Sequence, residues 1–356
     1  MLELLSFLLT ALLATLLTPL VIQYYKRKNW LDEPEKKRHV KVTHTTAVPR
    51  GGGLVIFLSI VFSSLLLLNI DQYLLAILFG AALLAIVGML DDIYDIHPLI
   101  RLTANTIAAL IVVGSGIGIA YVSHPFQEGV IHLDQPQISF WAFGAERTIW
   151  LLSSSLAVLF IIWNMNIVNW SKGVDGQMPG FVMIALIFIG ILSTRFIGDP
   201  TEFNTMMLSF ITAGAFGGFL LWNWYPQKIM PGYGAGSLAG YFLSVLAILS
   251  GAKVATALMV LALPTADAVF TIIRRIRAGK SPIWGDRGHF HHKLIDVFHW
   301  SKQQVAVFYW SVSLIMGVVS LYVSTLGKLV AIAITFGLTF GVLIWAKIKQ
   351  LRHDSQ

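Results

Sequence analysis

Side chains that could carry chemistry are grouped in a few short stretches of this chain, and the first group is acidic. Asp91 and Asp92 are adjacent, and Asp95 lies four residues after Asp91, on the same face if a helix continues through them. Two adjacent carboxylates at the end of an apolar stretch are costly unless they bind a cation or share a proton. The alternative interpretation is a solvated helix end without a catalytic role.

The second group combines amides with a glycine-rich turn. Asn166 and Asn169 are three residues apart, so both amides can point into one cavity. Lys172 adds a positive charge and Asp175 a carboxylate, while the glycines between and after them permit a tight turn that brings backbone N–H groups close to a ligand. The alternative is a pair of helix-end amides followed by an ordinary turn.

Two further stretches could bind phosphate through their backbone. Gly236 and Ser237 belong to a run of small residues that opens an apolar stretch, and free N–H groups at the start of a helix can hold phosphate. His44 and Arg50 lie in a basic, glycine-containing segment where the backbone could approach a phosphate or a lipid headgroup. The alternatives are an ordinary glycine-rich turn and a basic anchor at the membrane surface.

The fifth group is rich in imidazole. His289, His291 and His292 fall within four residues, and Arg287 precedes them. The group could carry neutral or cationic imidazoles, and the alternative is a pH-responsive or adventitious metal-binding loop. Zinc is disfavoured because the spacing matches no usual ligand pattern.

Membrane-spanning helices must position these groups, because the composition excludes a soluble domain. Of the 356 residues, 56% are hydrophobic and 12% charged, and the mean hydropathy is +0.74. The absence of cysteine excludes a disulfide-stapled module and thiol chemistry. Eleven apolar runs approach the length of a spanning helix, which predicts an all-α polytopic membrane protein. The runs are 2–22, 54–70, 73–90, 103–122, 148–165, 180–197, 206–224, 236–250, 254–273, 304–325 and 328–346.

The distribution of basic residues predicts the orientation of the chain. Most of the 25 Lys and Arg residues fall on one side of the eleven-span arrangement, which places the N-terminus outside and the C-terminus in the cytoplasm. The chain is then one membrane domain, 1–356, and a nucleic-acid partner is not needed to explain its charge. Its cytoplasmic loops are 23–53, 91–102, 166–179, 225–235 and 274–303.

All five polar groups fall on this cytoplasmic side. A cleft with acidic, amide, phosphate-binding and imidazole elements indicates an anionic nucleotide or pyrophosphate substrate, and its place at the membrane boundary indicates a lipid phosphate as the second substrate. A lipid-phosphate or nucleotide-sugar transporter is an alternative, although transporters usually place polar residues near the bilayer midplane and contain internal repeats.

The order of these motifs resembles the polyprenyl-phosphate N-acetylhexosamine-1-phosphate transferase superfamily. The His-x-His-His form and the span count resemble the GlcNAc-1-phosphate branch, which begins O-antigen and teichoic-acid linkage units. The motifs are Pro49-Arg50-Gly51-Gly52, Asp91-Asp92 with Asp95, Asn166-x-x-Asn169 before Asp175-Gly176, Ala235-Gly236-Ser237, Pro264 with Asp267 and Arg274-Arg275, and Asp286-Arg287-x-His289-x-His291-His292.

The resemblance implies an integral enzyme of the cytoplasmic membrane. Its activity would be transfer of a sugar-1-phosphate from a UDP-sugar to undecaprenyl phosphate with release of UMP, as the first membrane step of cell-envelope glycan synthesis. The active site would face the cytoplasm, and a homodimer is compatible with the family. A catalytically silent member is the alternative. The implied catalytic residues are Asp91, Asp92, Asp175, His289, His291 and His292, and the implied substrate-binding residues are His44, Arg50, Asn166, Asn169, Lys172, Gly236, Ser237 and Arg287.

The resemblance also implies Mg²⁺ or Mn²⁺ at Asp91, Asp92 and Asp175, but two acids of the family pattern are missing. Lys172 replaces one, and Gly234 stands where the family has the aspartate expected to bind magnesium. The Lys172 ammonium could occupy part of the space of the metal charge. Alternatively, it pairs with one of the three carboxylates in a protein that has lost activity.

Overall fold

Thirteen helices and six short strands form the described part of the molecule. The computed structural model describes residues 1–33, 46–142, 145–194, 200–250, 254–281 and 287–354. The helices are α1 (Leu2–Arg27), α2 (Gly52–Leu67), α3 (Gln72–Tyr94), α4 (Pro98–Gly114), α5 (Leu151–Trp170), α6 (Gln177–Ser193), α7 (Pro200–Asn223), α8 (Gly232–Leu249), α9 (Val254–Val260), α10 (Ala262–Arg277), α11 (Phe290–Asp296), α12 (Lys302–Ser320) and α13 (Thr325–Asp354).

The helices confirm a polytopic membrane protein. Among those described, α1, α3, α5, α7, α8, α12 and α13 are long and apolar enough to cross a bilayer. The helices α9 and α10 are bent by 74° at a one-residue break and together meet the same criterion as a broken span. The apolar helices α2, α4 and α6 are shorter than 18 residues.

Three antiparallel strand pairs add to the expected all-α architecture. Two of them, between α4 and α5, also correct the predicted spans on either side. The run 103–122 ends as a helix at residue 114, because Gly116 adopts a φ of 105° that ends the helical path. The run 148–165 becomes helical only at residue 151, after a strand. The pairs are β1 (Leu31–Asp32) with β2 (Val48–Pro49), β3 (Tyr121–Ser123) with β4 (Val130–His132), and β5 (Gln137–Ala142) with β6 (Ala145–Trp150).

Helix α8 is the most enclosed of the described spans, and glycines let its neighbours approach closely. A Cβ added at Gly88 of α3 would collide with the Cα of Gly234, and one added at Gly53 of α2 would lie 2.8 Å from the Ala235 nitrogen. A Cβ at Gly240 would likewise meet the backbone of α5. Because lipid tails are as apolar as the helices, close backbone packing of small residues drives such contacts. The start of α2 and the end of α3 are thereby fixed at the first turn of α8, and α5 packs against α8 further along its length.

The segment before α8 is fixed to the segment before α2 by backbone hydrogen bonds. The amide of Met230 donates to the carbonyl of Pro49 at 2.8 Å, and the amide of Gly52 donates to the carbonyl of Met230 at 3.1 Å. Two residues, Arg50 and Gly51, lie between Pro49 and Gly52, and these bonds bring the Arg50 carbonyl next to the start of α8. The ends of α3 and α5 and the starts of α2 and α8 therefore form one neighbourhood.

Candidate active site

The acidic end of α3 is bound by an arginine from the next helix. Asp95 adopts a left-handed conformation with φ 52° and ends α3, and Pro98 then starts α4. This turn brings Arg101 back to α3, where its Nε lies 2.6 Å from Asp91 Oδ1 as an ion pair without hydrogen-bond geometry. The same guanidinium donates to Asp95 at 3.0 Å. The sequence analysis does not select Arg101, although its six-residue spacing from Asp95 across a proline is a usable signal.

Asp92 and Lys172 bind opposite ends of one peptide group. The amide of Tyr233 donates to Asp92 Oδ1 at 2.7 Å, and Lys172 Nζ donates to the carbonyl of Gly232 at 2.5 Å. Gly232 has a φ of 67°, and a Cβ at this position would collide with Asp92 Oδ2, so only glycine fits here. The first turn of α8 thus lies between the carboxylate and the ammonium.

Lys172 is also held by the amide group at the end of α5. Its Nζ donates to Asn169 Oδ1 at 2.8 Å, and Asn169 Nδ2 donates to the buried Ser237 Oγ at 2.9 Å. A Cβ at Gly236 would collide with Asn169 Oδ1, so the small residues of α8 make room for this amide. Burial lowers the pKa of Lys172 to about 8, and the charges of Asp92 and Asp91 oppose this shift.

The ring of Tyr233 lies close to two cations. The Arg101 guanidinium carbon lies 5.4 Å from the ring centroid and Lys172 Nζ 5.7 Å from it. The phenol donates to Asn105 Oδ1 at 3.0 Å, which fixes the ring against α4. Sequence reasoning did not select Tyr233, because its role depends on its neighbours in space.

The imidazole group is organised by Asp267 on α10. Its carboxylate accepts the backbone amide of Phe290 at 2.8 Å and lies 3.1 Å from His289 Nδ1. The rings of His289 and His291 are stacked with centroids 5.7 Å apart, and the centroid of His292 lies 4.3 Å from that of His291. Because all three histidines are buried, the group is a defined part of the fold.

The segment 169–173 connects the acidic group to the imidazole group. Lys172 contacts the first turn of α8, and a Cβ on the following Gly173 would collide with His291 Nε2. The Trp170 ring lies 6.4 Å from that of His289. Side chains that are far apart along the chain therefore meet around one short segment.

The remaining predicted residues have other partners or lie outside the described chain. Asp175 faces Lys302 Nζ at 3.4 Å and the amide of Gln227 at 3.3 Å. The Asn166 amide donates to its own helix, and the Arg50 guanidinium to Asp32. The Arg287 guanidinium forms two 2.9 Å hydrogen bonds with Asp296. His44 lies outside the described residues.

Comparison with known proteins assigns this arrangement to a family. A sequence model of glycosyl transferase family 4 matches residues 74–251, which is half of the 356-residue chain. The chain belongs to glycosyl transferase family 4. The match covers α3 to α8, which include the acidic end, the amide group and the first turn of α8.

Relatives of this family 4 protein are phosphosugar transferases. It is 27% identical to a probable undecaprenyl-phosphate N-acetylglucosaminyl 1-phosphate transferase of Bacillus subtilis, over 85% of this chain and 80% of the relative. It is 26% identical to a decaprenyl-phosphate N-acetylglucosaminephosphotransferase of Mycolicibacterium smegmatis, over 76% of this chain and 71% of that relative. A phospho-N-acetylmuramoyl-pentapeptide-transferase of a Geobacillus species is 27% identical to this chain, over 90% of this chain and 97% of that relative. The chain is an enzyme of this membrane-embedded type.

The described residues of this family 4 enzyme do not fit the three-carboxylate metal set expected from sequence. No group of three Asp, Glu or His side chains in the described chain could hold one metal ion. Arg101 binds Asp91, Lys302 and an amide bind Asp175, and position 234 carries no side chain. Magnesium usually keeps several waters and is bound by one or two carboxylates together with substrate phosphates. The described residues do not bring Asp91, Asp92 and Asp175 together as one set of ligands.

His292 is expected to make the stability of the enzyme depend on pH. Burial, with a smaller contribution from the Arg287 charge and from His289, lowers the pKa of His292 from 6.5 to about 4. The unfolded chain therefore takes up a proton at higher pH than the folded chain. The free energy of unfolding is therefore unaffected by this group well above pH 6.5 and decreases as the pH falls towards 4. The total decrease is about 3 kcal/mol.

Thermal unfolding in detergent between pH 7 and pH 4.5 measures this effect. The His292→Gln variant should lose less stability than the unmodified enzyme over this range. The exposed His132 provides the control substitution, His132→Gln, which should follow the unmodified enzyme. An equal pH dependence of the unmodified enzyme and His292→Gln would show that His292 does not carry the effect.

Proposed function

We propose that this enzyme transfers N-acetylglucosamine-1-phosphate from UDP-N-acetylglucosamine to undecaprenyl phosphate and releases UMP. The observation that carries the proposal is the convergence of Asp92, Lys172 and the imidazole group on segment 169–173, at the ends of apolar helices. Such a site can receive a nucleotide diphosphate and a lipid phosphate together. Two of the relatives named above carry N-acetylglucosamine phosphotransferase names, which supports this donor.

The proposed step is a phosphoryl transfer. An oxygen of the lipid phosphate attacks the β-phosphorus of the UDP-sugar and forms a new P–O bond. The bond from that phosphorus to the bridging oxygen breaks, and the bridging oxygen leaves with its electron pair as part of UMP. A phosphate monoester with a second pKa near 6 is mostly dianionic at pH 7, so no strong base is required. Positioning and charge neutralisation then supply most of the rate enhancement.

The residues are assigned by their position around segment 169–173. Asp91 and Asp92 orient the acceptor phosphate. Asn169 and Ser237 line the donor site, with Asp175 at its far edge beside Lys302. The imidazoles of the α10–α11 region contact the donor diphosphate, and Asp267 positions His289 as their anchor.

We further propose that the whole chain is one domain with eleven spans, the N-terminus outside and the C-terminus in the cytoplasm. Each of the eleven predicted runs overlaps a helix or, for 254–273, the broken pair α9–α10. The short helices α2, α4 and α6 have 16 or 17 residues, close to the shortest spans observed. The site then opens at the cytoplasmic face of the plasma membrane, which is the side rich in Lys and Arg.

Release of UMP tests the proposal. The purified protein should release UMP from UDP-N-acetylglucosamine only when undecaprenyl phosphate is supplied, with a lipid product whose mass includes one additional N-acetylhexosamine phosphate. Undecaprenol, which lacks the acceptor phosphate, is the control lipid. A donor panel with UDP-N-acetylgalactosamine measures the sugar preference. A transporter or a silent member would release no UMP with any lipid, and that result would reject the proposal.

A further inference from the structure

The positive charge of Lys172 is held by neutral oxygens. Its ammonium has three N–H donors, and two of them are used by Asn169 Oδ1 at 2.8 Å and the Gly232 carbonyl at 2.5 Å. Over the described part of the chain, Lys172 forms no ion pair with a carboxylate. The described residues therefore show no direct ion pair of Lys172 with Asp91, Asp92 or Asp175. One N–H donor is left to bind a ligand.

The peptide group between Gly232 and Tyr233 keeps the ammonium and the nearest acid apart. Asp92 accepts the amide hydrogen at one end of this group, and Lys172 donates to the carbonyl oxygen at the other. The peptide dipole is favourably oriented for both charges, so each is stabilised without direct contact. The carboxylate keeps Lys172 charged, and the charge remains available to an anion.

The other cations around the site are already bound to acids. The guanidinium of Arg101 binds Asp91 and Asp95, and that of Arg50 binds Asp32. Lys302 lies beside Asp175, and Arg287 beside Asp296. Among these described cations, Lys172 is the one without a carboxylate partner. It is also the cation that replaces an acid of the family motif.

Position 234 supplies no carboxylate to the site, because a glycine stands where the family pattern has an acid. A Cβ built on Gly234 would lie 3.4 Å from the Cα atoms of Gly53 and Gly88, at ordinary van der Waals distance, in the contact between α2, α3 and α8. Gly234 therefore adds no negative charge near the Lys172 ammonium.

We propose that Lys172 is a catalytic residue whose ammonium neutralises the donor diphosphate in place of a divalent metal ion. The inference rests on the transfer reaction proposed above. The free N–H of Lys172 donates to an oxygen of the donor diphosphate, and this charge-assisted bond strengthens as the bridging oxygen gains negative charge. No proton is transferred in this step. UMP leaves with the bridging oxygen and its electron pair, as before.

Three measurements on the full-length protein test Lys172. UMP release by the unmodified enzyme is compared in excess EDTA and in Mg²⁺, and the rate should be unchanged. Lys172→Met, which retains the length of the side chain without its charge, should release UMP roughly 100- to 1,000-fold more slowly in both conditions. Equilibrium binding of UDP and uridine should show a weaker preference for UDP in the variant, because the lost contact is to phosphate.

Lys228→Met is the matched control. Lys228 also lies beside an aromatic ring, with its Nζ 5.0 Å from the centroid of the Trp222 ring, but it is outside the site. It should leave the rate and the UDP preference unchanged. If EDTA stops the unmodified enzyme and Mg²⁺ restores it, the substitution of metal by Lys172 is wrong, while the proposed transfer stands. A Lys172→Met variant with an unchanged rate and an unchanged preference for UDP would also overturn the proposed role of Lys172. The EDTA comparison needs no variant, so a misfolded Lys172→Met protein leaves that test intact.

Discussion

Replacing Asp92 by asparagine is expected to move the alkaline limb of the pH–rate profile to lower pH. In the unmodified enzyme the rate should fall above about pH 8, where the Lys172 ammonium loses its proton. The Asp92 charge opposes the effect of burial on the pKa of Lys172, so its removal lowers that pKa further. An opposite charge nearby shifts a pKa by about 1–3 units, so the protonated fraction of Lys172, and with it UMP release at pH 7.5, should fall roughly 3- to 200-fold.

Recovery at lower pH distinguishes this effect from loss of a catalytic carboxylate. In the Asp92→Asn variant, the side-chain oxygen of the asparagine would still accept the Tyr233 amide, so the first turn of α8 should keep its position. Lys172 also senses the charges of Asp91, Arg50 and Arg101, and these groups are unchanged in the variant. The rate of the variant should rise as the pH is lowered from 8 towards 6.

The control is Asp71→Asn, at the opposite end of the same helix. Asp71 accepts the Leu74 amide at 2.7 Å as the N-cap of α3, and asparagine can do the same. Its pH–rate profile should match that of the unmodified enzyme. If Asp92→Asn reduced the rate equally at every pH, Asp92 would act only by orienting the acceptor phosphate and not through the pKa of Lys172.

Replacing Gly88 by alanine should destabilise the enzyme and remove its activity. The added methyl group would collide with the Cα of Gly234 and separate α3 from α8. Overpacking of this kind costs about 1–3 kcal/mol in a close-packed interior, and backbone atoms cannot move aside as a flexible side chain can. The displacement would also move the end of α3, where Asp91 and Asp92 lie.

Gly114→Ala is the matched control for Gly88→Ala. A Cβ at Gly114, in the last turn of α4, has no other atom within 4 Å, so the same change is accommodated there. Gly88→Ala should lower both the unfolding temperature in detergent and the rate of UMP release. Gly114→Ala should leave both unchanged. Equal stability of the two variants would contradict the close packing of α3 on α8.

Much of the helical architecture could be predicted from sequence, because a bilayer requires long apolar runs and these are visible in the residue pattern. The helix ends at 114 and 151 were missed because they depend on local features. Gly116 adopts a positive φ, and the apolar residues before 151 form a strand pair. Apolarity alone cannot distinguish such residues from the continuation of a span.

The candidate site could be predicted as a group but not in its contacts. The order of the motifs brought Asp92, Lys172 and the histidines into one hypothesis, and the described fold gathers them around segment 169–173. Asp175 is only three residues from Lys172, yet its carboxylate faces Lys302 and Gln227. The separation of Asp92 from Lys172 depends on the positive φ of Gly232, which the sequence does not reveal.

The peptide group shared by Asp92 and Lys172 links these two charged side chains through the start of α8. A donor phosphate that draws the ammonium away from the Gly232 carbonyl also changes the bond that this peptide makes to Asp92. Under the proposed assignment of the substrates, occupancy of one half of the cleft would change the affinity of the other half through this single planar group. Such coupling would need no moving lid.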